Sequence, residues 1–123
     1  KVGAPLMHDF CAISLSDHLT PWTTIESRLK SAVSGDFVIA LYNPRSYERN
    51  WQLNRAIEVL LGNYSGKTPV VLARQLGRTD EQIRLCTLGN VPIEEVDMLT
   101  LILIGNSSSR IQDGKMVTPR GYK

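Results

Sequence analysis

The pattern of apolar and polar residues along the chain predicts a succession of buried strands and amphipathic helices. Three continuous apolar runs, at residues 36–41, 69–73 and 99–104, are typical of strands that are buried on both faces of a sheet. Residues 10–15 form a weaker run of the same kind. We therefore expect strands at these four places.

Two helices are predicted between these strands. The first should be capped by Thr20, with Pro21 at its first helical position, and should end at Gly35. The second should end near Gly62 and Gly66. Apolar residues at helical spacing define the buried faces: Trp22, Ile25, Leu29, Ala32 and Val33 in the first helix, and Leu53, Ile57, Leu60, Leu61 and Tyr64 in the second.

The order of these elements predicts the topology. A succession of strand, helix, strand, helix and strand favours a right-handed, mainly parallel sheet. Residues 82–88 then alternate in polarity, and the loop at 74–81 is too short for a crossover helix, so they should form an antiparallel hairpin with the preceding strand. Residues 91–96 should form a short helix with Pro92 near its start. The expected fold class is α/β, with a single mixed, mainly parallel sheet, one antiparallel hairpin and flanking helices.

Length and composition are those of one globular domain. The 123 residues, 42% hydrophobic and 21% charged, predict one domain over 1–123 whose segment 107–123 is a polar, loosely ordered tail. The net charge of +2 does not favour a nucleic-acid partner, and no apolar run is long enough to cross a membrane. Because residues 1–5 show no secretory signal, a cytoplasmic location is expected. Cys11 and Cys86 are expected to be reduced, buried thiols.

The predicted topology also indicates where a ligand would bind. In open α/β sheets, ligands bind beyond the carboxyl ends of the parallel strands. The loops expected at that edge are residues 16–18, 42–45, 74–78 and 106–108.

Several familiar motifs do not occur in the sequence. Neither GxGxxG nor GxxxxGK[ST] occurs, so no dinucleotide or nucleoside triphosphate site is indicated. Without a GxSxG motif, the serines near His18 do not indicate acyl transfer. The possible metal ligands match no zinc spacing, and His8 and His18 would lie roughly 30 Å apart along one strand. We therefore expect no metal site.

Arginines and one tyrosine in the expected loops leave two interpretations open. Arg45, Arg74, Arg78 and Arg110 could bind the carboxylates of a substrate, or they could be solvated loop charges. Tyr42 could stack on a flat ring, or it could cap the core. Composition and spacing do not decide between these alternatives.

A series of sequence motifs is more specific than this physical pattern. They are residues 3–6, 8–10, 13–17, 19–22, 40–46, 51–53, 96–100, 104–107 and 116–122. In this order they resemble the middle section of the precorrin-3B C17-methyltransferases of cobalamin biosynthesis, which are tetrapyrrole methylases. The resemblance extends over nearly the whole chain.

The resemblance implies an architecture and a set of partners. Members of this family have two α/β lobes and bind S-adenosylmethionine in the cleft between them. The chain would be the C-terminal lobe, with residues 1–9 as the inter-lobe connection and an N-terminal lobe as its partner. A homodimer is implied for the full enzyme. The substrate would be a reduced tetrapyrrole, precorrin-3B or cobalt-precorrin-3.

The resemblance also implies site residues. The positions that match cofactor contacts are Tyr42, Asn43, Pro44, Gln75, Leu76, Thr100 and Leu101. Leu76 is bulkier than the small residue of related enzymes, so a backbone contact is expected there. Ser16 and Asp17 would face the substrate, and Arg45, Arg74 and Arg78 would hold its carboxylates.

The implied reaction is direct methyl transfer from a sulfonium to a ring carbon. Alignment of donor and acceptor and exclusion of water can supply much of the rate, so no catalytic general base is expected. The alternative interpretation is a non-catalytic module that binds a tetrapyrrole or assists assembly.

Overall fold

The computed structural model describes residues 3–4, 10–44, 51–74, 82–97, 99–112 and 114–117. They form eight strands, two α-helices and two short 3-10 turns, Leu88–Asn90 and Ile93–Glu95. In chain order the strands and helices are β1 (Gly3–Ala4), β2 (Phe10–Ser14), α1 (Trp22–Ser34), β3 (Val38–Tyr42), α2 (Gln52–Leu61), β4 (Pro69–Arg74), β5 (Gln82–Thr87), β6 (Thr100–Ile104), β7 (Arg110–Gln112) and β8 (Lys115–Val117).

The main sheet has the strand order β2-β3-β6-β4-β5. The predicted α/β class, the mixed sheet and the antiparallel β4–β5 hairpin are confirmed. The expectation of a mainly parallel sheet is wrong, because among the described strands of this sheet only β2 and β3 pair in parallel. Strands β2, β3 and β4 do share one direction, but β5 reverses the chain. The chain then returns to the edge where β5 starts before β6 begins at Thr100, so β6 also runs opposite to β3 and β4.

The helices lie close to their predicted positions. Helix α1 begins one residue later than expected, because Pro21 and not Thr20 is its N-cap. The Pro21 carbonyl accepts hydrogen bonds from the Thr24 and Ile25 amides at 3.0 and 3.3 Å. Gly35 is the C-cap of α1, as predicted, and Gly62 is the C-cap of α2. The short helix expected at residues 91–96 is the 3-10 turn Ile93–Glu95, with Pro92 as its N-cap.

The core lies mainly between α1, α2 and one face of the main sheet. Successive strand residues point to opposite faces, so Ile39 and Leu41 meet the helices while Ala40 faces the other way. Buried side chains of this larger cluster include Leu29, Leu60, Ile102 and Ile104. A smaller cluster on the opposite face comprises Ala40, Val71, Leu103 and Met116.

A small second sheet, β1-β8-β7, joins the two ends of the described chain. Strand β1 pairs in parallel with β8, and β7 and β8 form a hairpin whose turn includes Gly114 in the left-handed region. Met116 of β8 is fully buried against the main sheet. The expectation of a loosely ordered tail is therefore wrong for β7 and β8, because one apolar side chain packs them onto the core.

Two smaller expectations concern the cysteines and membrane association. Cys11 and Cys86 are free, as predicted, and they are half-buried instead of fully buried. Partial burial raises the pKa of both thiols above its ordinary value. Within the described part of the chain, no helix is both long and apolar enough to span a membrane.

Candidate functional site

One edge of the main sheet collects most of the predicted ligand residues that the structure describes. Strands β2, β3 and β4 end at this edge, and the antiparallel strand β6 begins there. Ile102 pairs with both Leu41 and Leu72, which places the ends of β3 and β4 at the same level. Ser14 pairs with Tyr42, and Thr100 pairs with Arg74 at this edge. We call this end of the sheet, where β2, β3 and β4 end and β6 begins, the ligand edge.

The loops after β2 and β3 are joined by direct hydrogen bonds. The Leu15 amide donates to the Tyr42 carbonyl at 3.0 Å, and the Asn43 side-chain amide donates to Ser14 Oγ at 3.1 Å. Ser14 Oγ also accepts a bond from the Ser16 amide at 3.2 Å. These contacts hold the predicted substrate segment against the predicted cofactor segment.

The turn after β3 presents an aromatic ring at the ligand edge. Tyr42 is 43% exposed, so its ring does not close the core and can contact a ligand. Asn43 has φ 51°, a left-handed conformation that asparagine tolerates better than most residues. Pro44 is buried beside it. This turn therefore exposes the Tyr42 and Asn43 side chains.

Gln52, the first residue of α2, was not predicted as a site residue. Its Nε2 donates to Asp17 Oδ2 at 3.2 Å, and its side chain is only 2% exposed. No described residue donates a hydrogen bond to its buried Oε1. The sequence does contain a signal: Gln52, Ala56 and Leu60 recur at helical spacing and are all buried, so a polar residue stands on an apolar helix face.

A second polar network lies at the ends of β4 and β6. Arg74 Nε donates to Asp97 Oδ2 at 2.8 Å. The other oxygen, Oδ1, accepts bonds from the Leu99 amide at 2.9 Å and from the Thr100 hydroxyl at 3.1 Å. In the sequence, Asp97 stood out only as part of the family motif at residues 96–100. In the structure, its hydrogen bonds hold the ends of β4 and β6 together. Thr100 is 4% exposed and its hydroxyl is bound to Asp97, so its side chain supports the turn.

A cavity of about 230 Å³ adjoins this network. Its polar lining includes Arg74, Gln82, Arg84, Glu95 and Thr100. Arg84 Nη1 donates to Glu95 Oε1 at 2.6 Å, so both arginines of the cavity already have an acidic partner in this chain. The two positive charges are thus fixed in place and largely compensated.

The predicted loop at 106–108 lies at the opposite edge of the sheet, and its assignment to the ligand edge is wrong. The reason is the reversed direction of β6, which ends where β3 and β4 begin. There the Ser107 amide donates to Asp36 Oδ1 at 2.9 Å, and Asn106 Nδ2 donates to the Asp36 carbonyl at 3.0 Å. These residues close the turn between α1 and β3.

The remaining predictions divide into two groups. Leu101 follows Thr100 on β6 and packs against the smaller core cluster. Arg45, Gln75, Leu76 and Arg78 lie outside the described residues. Within the described ranges, no three His, Cys, Asp or Glu side chains form a group that could hold a metal ion.

Fold and site together define an α/β lobe with a ligand edge formed by loops of the main sheet. The chain belongs to the tetrapyrrole (corrin/porphyrin) methylases, whose family model matches residues 1–92. It is 52% identical over 121 residues to a Salmonella typhimurium protein named "Probable cobalt-factor III C(17)-methyltransferase", covering 98% of this chain and 50% of that protein. It is 47% identical to the precorrin-3B C(17)-methyltransferase of a Sinorhizobium species, covering 99% of this chain and 50% of that protein.

A solved structure shows the same arrangement of elements. The crystal structure of the methyltransferase CobJ matches with a TM-score of 0.91 and 40% identity, over 96% of this chain and 49% of that one. The resemblance to the C17-methyltransferases is thereby confirmed. The chain spans about half the length of these relatives.

Proposed function

We propose that this chain is the C-terminal lobe of an S-adenosylmethionine-dependent methyltransferase that acts on C17 of precorrin-3B or cobalt-precorrin-3 in cobalamin biosynthesis. The names of its relatives and its coverage of half their length support the proposal. The observation that carries it is the ligand edge, where hydrogen bonds join the loops after β2 and β3 beside the exposed Tyr42 ring. A partner N-terminal lobe would supply the other wall of the site.

The turn after β3 fits one end of the cofactor. Tyr42 offers an exposed aromatic face, which suits the flat adenine ring, and Asn43 offers polar atoms beside it. Leu101, half-buried on β6, adds apolar surface. Gln75 and Leu76 stay predicted cofactor contacts, whereas Thr100 would act by fixing the turn through Asp97.

The substrate would lie on the side of the loop after β2. Ser16 and Asp17 are half-buried there, within reach of a ligand that rests on the edge. Arg74 would meet a substrate carboxylate with the guanidinium donors that Asp97 does not use, since Asp97 is bonded to Nε. Arg45 and Arg78 stay predictions for the same task.

The residues of this lobe would act by positioning and by excluding water. When bound, the cofactor supplies an electrophilic methyl group. The joined loops would hold the acceptor carbon in line with that group, which can account for much of the rate without a general base. Closure of the second lobe over this edge would exclude water. A homodimer and a cytoplasmic location stay predictions.

Calorimetric titration with S-adenosylhomocysteine tests the proposal. This chain alone should bind the ligand weakly, and the two-lobed protein should bind it tightly and transfer a methyl group to the tetrapyrrole. Tight binding by this chain alone would contradict a shared site. Binding of the tetrapyrrole without methyl transfer would favour the alternative, a non-catalytic binding or assembly module.

A pair of aromatic substitutions makes the test specific to the ligand edge. In the two-lobed protein, Tyr42→Ala should weaken S-adenosylhomocysteine binding about tenfold, because the loss of stacking between an aromatic side chain and a base costs about 1–3 kcal/mol. Tyr42→Phe should retain most of the affinity. Phe10→Ala is the matched control, since Phe10 is 50% exposed and pairs with Val38 at the other end of β3. Equal losses in Tyr42→Ala and Phe10→Ala would place the cofactor elsewhere.

A further inference from the structure

The Gln52 side chain links the start of α2 to the loop after β2. It is the first residue of α2, directly after the segment that follows β3, and its Nε2 reaches Asp17 in the loop after β2 at 3.2 Å. Asp17 itself is half-buried, so its carboxylate is partly open to the edge while Gln52 is almost fully enclosed. The buried Gln52 amide therefore helps to fix the orientation of the accessible Asp17 carboxylate.

The other polar atom of the same amide is the carbonyl oxygen Oε1. Gln52 Oε1 is buried and receives no hydrogen bond from any described residue. A buried acceptor without a donor destabilises the folded state, because it has lost its bond to water without replacement. The Asp17 bond explains the orientation of the amide, since exchange of the two amide atoms would place an oxygen against the carboxylate.

Stability alone does not account for a glutamine at this position. Its neighbours on the helix face, Ala56 and Leu60, are apolar and fully buried. Methionine has a similar length and would fill the space without an unpaired acceptor, while water could hydrate the partly open Asp17 carboxylate instead. Residues that reduce stability in this way concentrate at functional sites.

We propose that Gln52 is a positioning residue of the ligand edge, which holds the Asp17 carboxylate in the orientation required by the tetrapyrrole substrate at a cost to the stability of the fold. This inference rests on the proposed function, since it assigns Asp17 to substrate binding. It adds a residue whose side chain touches neither substrate nor cofactor. Its effect passes entirely through Asp17.

The test compares Gln52→Met, Asp17→Ala and the double variant in the two-lobed protein. In Gln52→Met the melting temperature should be equal to or above that of the wild type. The KM for the tetrapyrrole should rise about tenfold, as expected for a lost hydrogen bond to a charged group. Values of kcat and of KM for S-adenosylmethionine should change less than about twofold. Asp17→Ala should raise KM at least as much, and the double variant should be no worse than Asp17→Ala alone.

Two further variants separate positioning from folding. Thr68→Val replaces another buried polar residue near the opposite edge and should leave the KM for the tetrapyrrole unchanged. Gln52→Glu retains the shape but sets a carboxylate against Asp17, so it should raise that KM at least as much as Gln52→Met.

The outcomes distinguish this inference from the proposed function. A lower melting temperature with unchanged KM in Gln52→Met would show a purely structural residue, and additive effects in the double variant would show that Gln52 does not act through Asp17. Either result overturns the inference while wild-type turnover upholds the proposed function. Absence of methyl transfer by the wild type would overturn both.

Discussion

Arg74 and Asp97 form an ion pair with a 2.8 Å bond between Nε and Oδ2, linking the end of β4 to the segment before β6. Their pairing gives Asp97 two tasks, because its other oxygen accepts bonds from the Leu99 amide and the Thr100 hydroxyl. The start of β6 is thus fixed at the same corner where an arginine faces the ligand edge. The Arg74 guanidinium, the proposed partner of a substrate carboxylate, is therefore held in place by the same aspartate that fixes the start of β6.

Replacement of Asp97 should separate these two tasks. Asp97→Ala should destabilise the fold by about 1–3 kcal/mol, because the Leu99 amide and the Thr100 hydroxyl lose their acceptor. Asp97→Asn retains one acceptor oxygen for the Leu99 amide and the Thr100 hydroxyl, and replaces the charged oxygen that faces Arg74 with an NH2 group. Since both charged side chains are partly exposed, that variant should lose about 0–1 kcal/mol. Denaturant unfolding measures both values, and equal losses would assign the whole effect to the ion pair.

Acid should remove a contact between the two helices. The Arg55 guanidinium, helped by a bond from Trp22, lowers the pKa of Glu26 from its ordinary value of 4.5 to about 2. Because the folded-state pKa is the lower one, this contribution to stability is present above about pH 4.5 and is lost as the pH falls towards 2. Melting temperatures recorded between pH 6 and pH 2 should therefore fall less steeply in Glu26→Gln than in the wild type. Parallel curves would contradict the assignment.

Backbone strain at Asp36, in the turn between α1 and β3, should lower the stability of the fold. Asp36 has φ 59°, and its carboxylate accepts bonds from the amide and hydroxyl of Ser107. Asp36→Ala and Asp36→Gly both remove these bonds, but only glycine adopts this conformation without strain. Asp36→Gly should therefore be about 1 kcal/mol more stable than Asp36→Ala in denaturant unfolding. Asp36→Asn, which tolerates the conformation, serves as the control.

Met116 should anchor the second sheet to the core. The side chain is fully buried, so Met116→Ala should cost about 2–5 kcal/mol through lost contacts and the cavity left behind. Ile111 on β7 is 48% exposed, and Ile111→Ala should change stability by less than about 1 kcal/mol. Thermal unfolding of the two variants checks the difference. A small loss for Met116→Ala would mean that the hairpin contributes little to the fold.

The local pattern of the sequence was sufficient for the elements and their burial. Continuous apolar runs located β2, β3, β4 and β6, and helical spacing located the buried faces of α1 and α2. The short loop after β4 was enough to predict the antiparallel hairpin with β5. These features depend on neighbours in the chain, where steric and solvation preferences act directly.

Two sets of site residues show the limit of that reasoning. The turn at Tyr42 and Asn43 was found because a loop after a strand has a predictable edge. The loop at 106–108 was assigned to the wrong edge, because the direction of β6 depends on the edge from which the chain re-enters the sheet after β5. Local patterns contain no information on which side a strand enters the sheet.

By itself, then, the sequence determined the class of fold, the core faces and the family, since each follows from local periodicity or from extended motifs. Only the tertiary structure decided the direction of β6, the docking of the final hairpin through Met116 and the partners of Asp17 and Asp97. The Gln52 contact spans 35 positions, and the Arg74 contact spans 23. Contacts at such separations form only when the sheet and helices have assembled, so no spacing along the chain could reveal them.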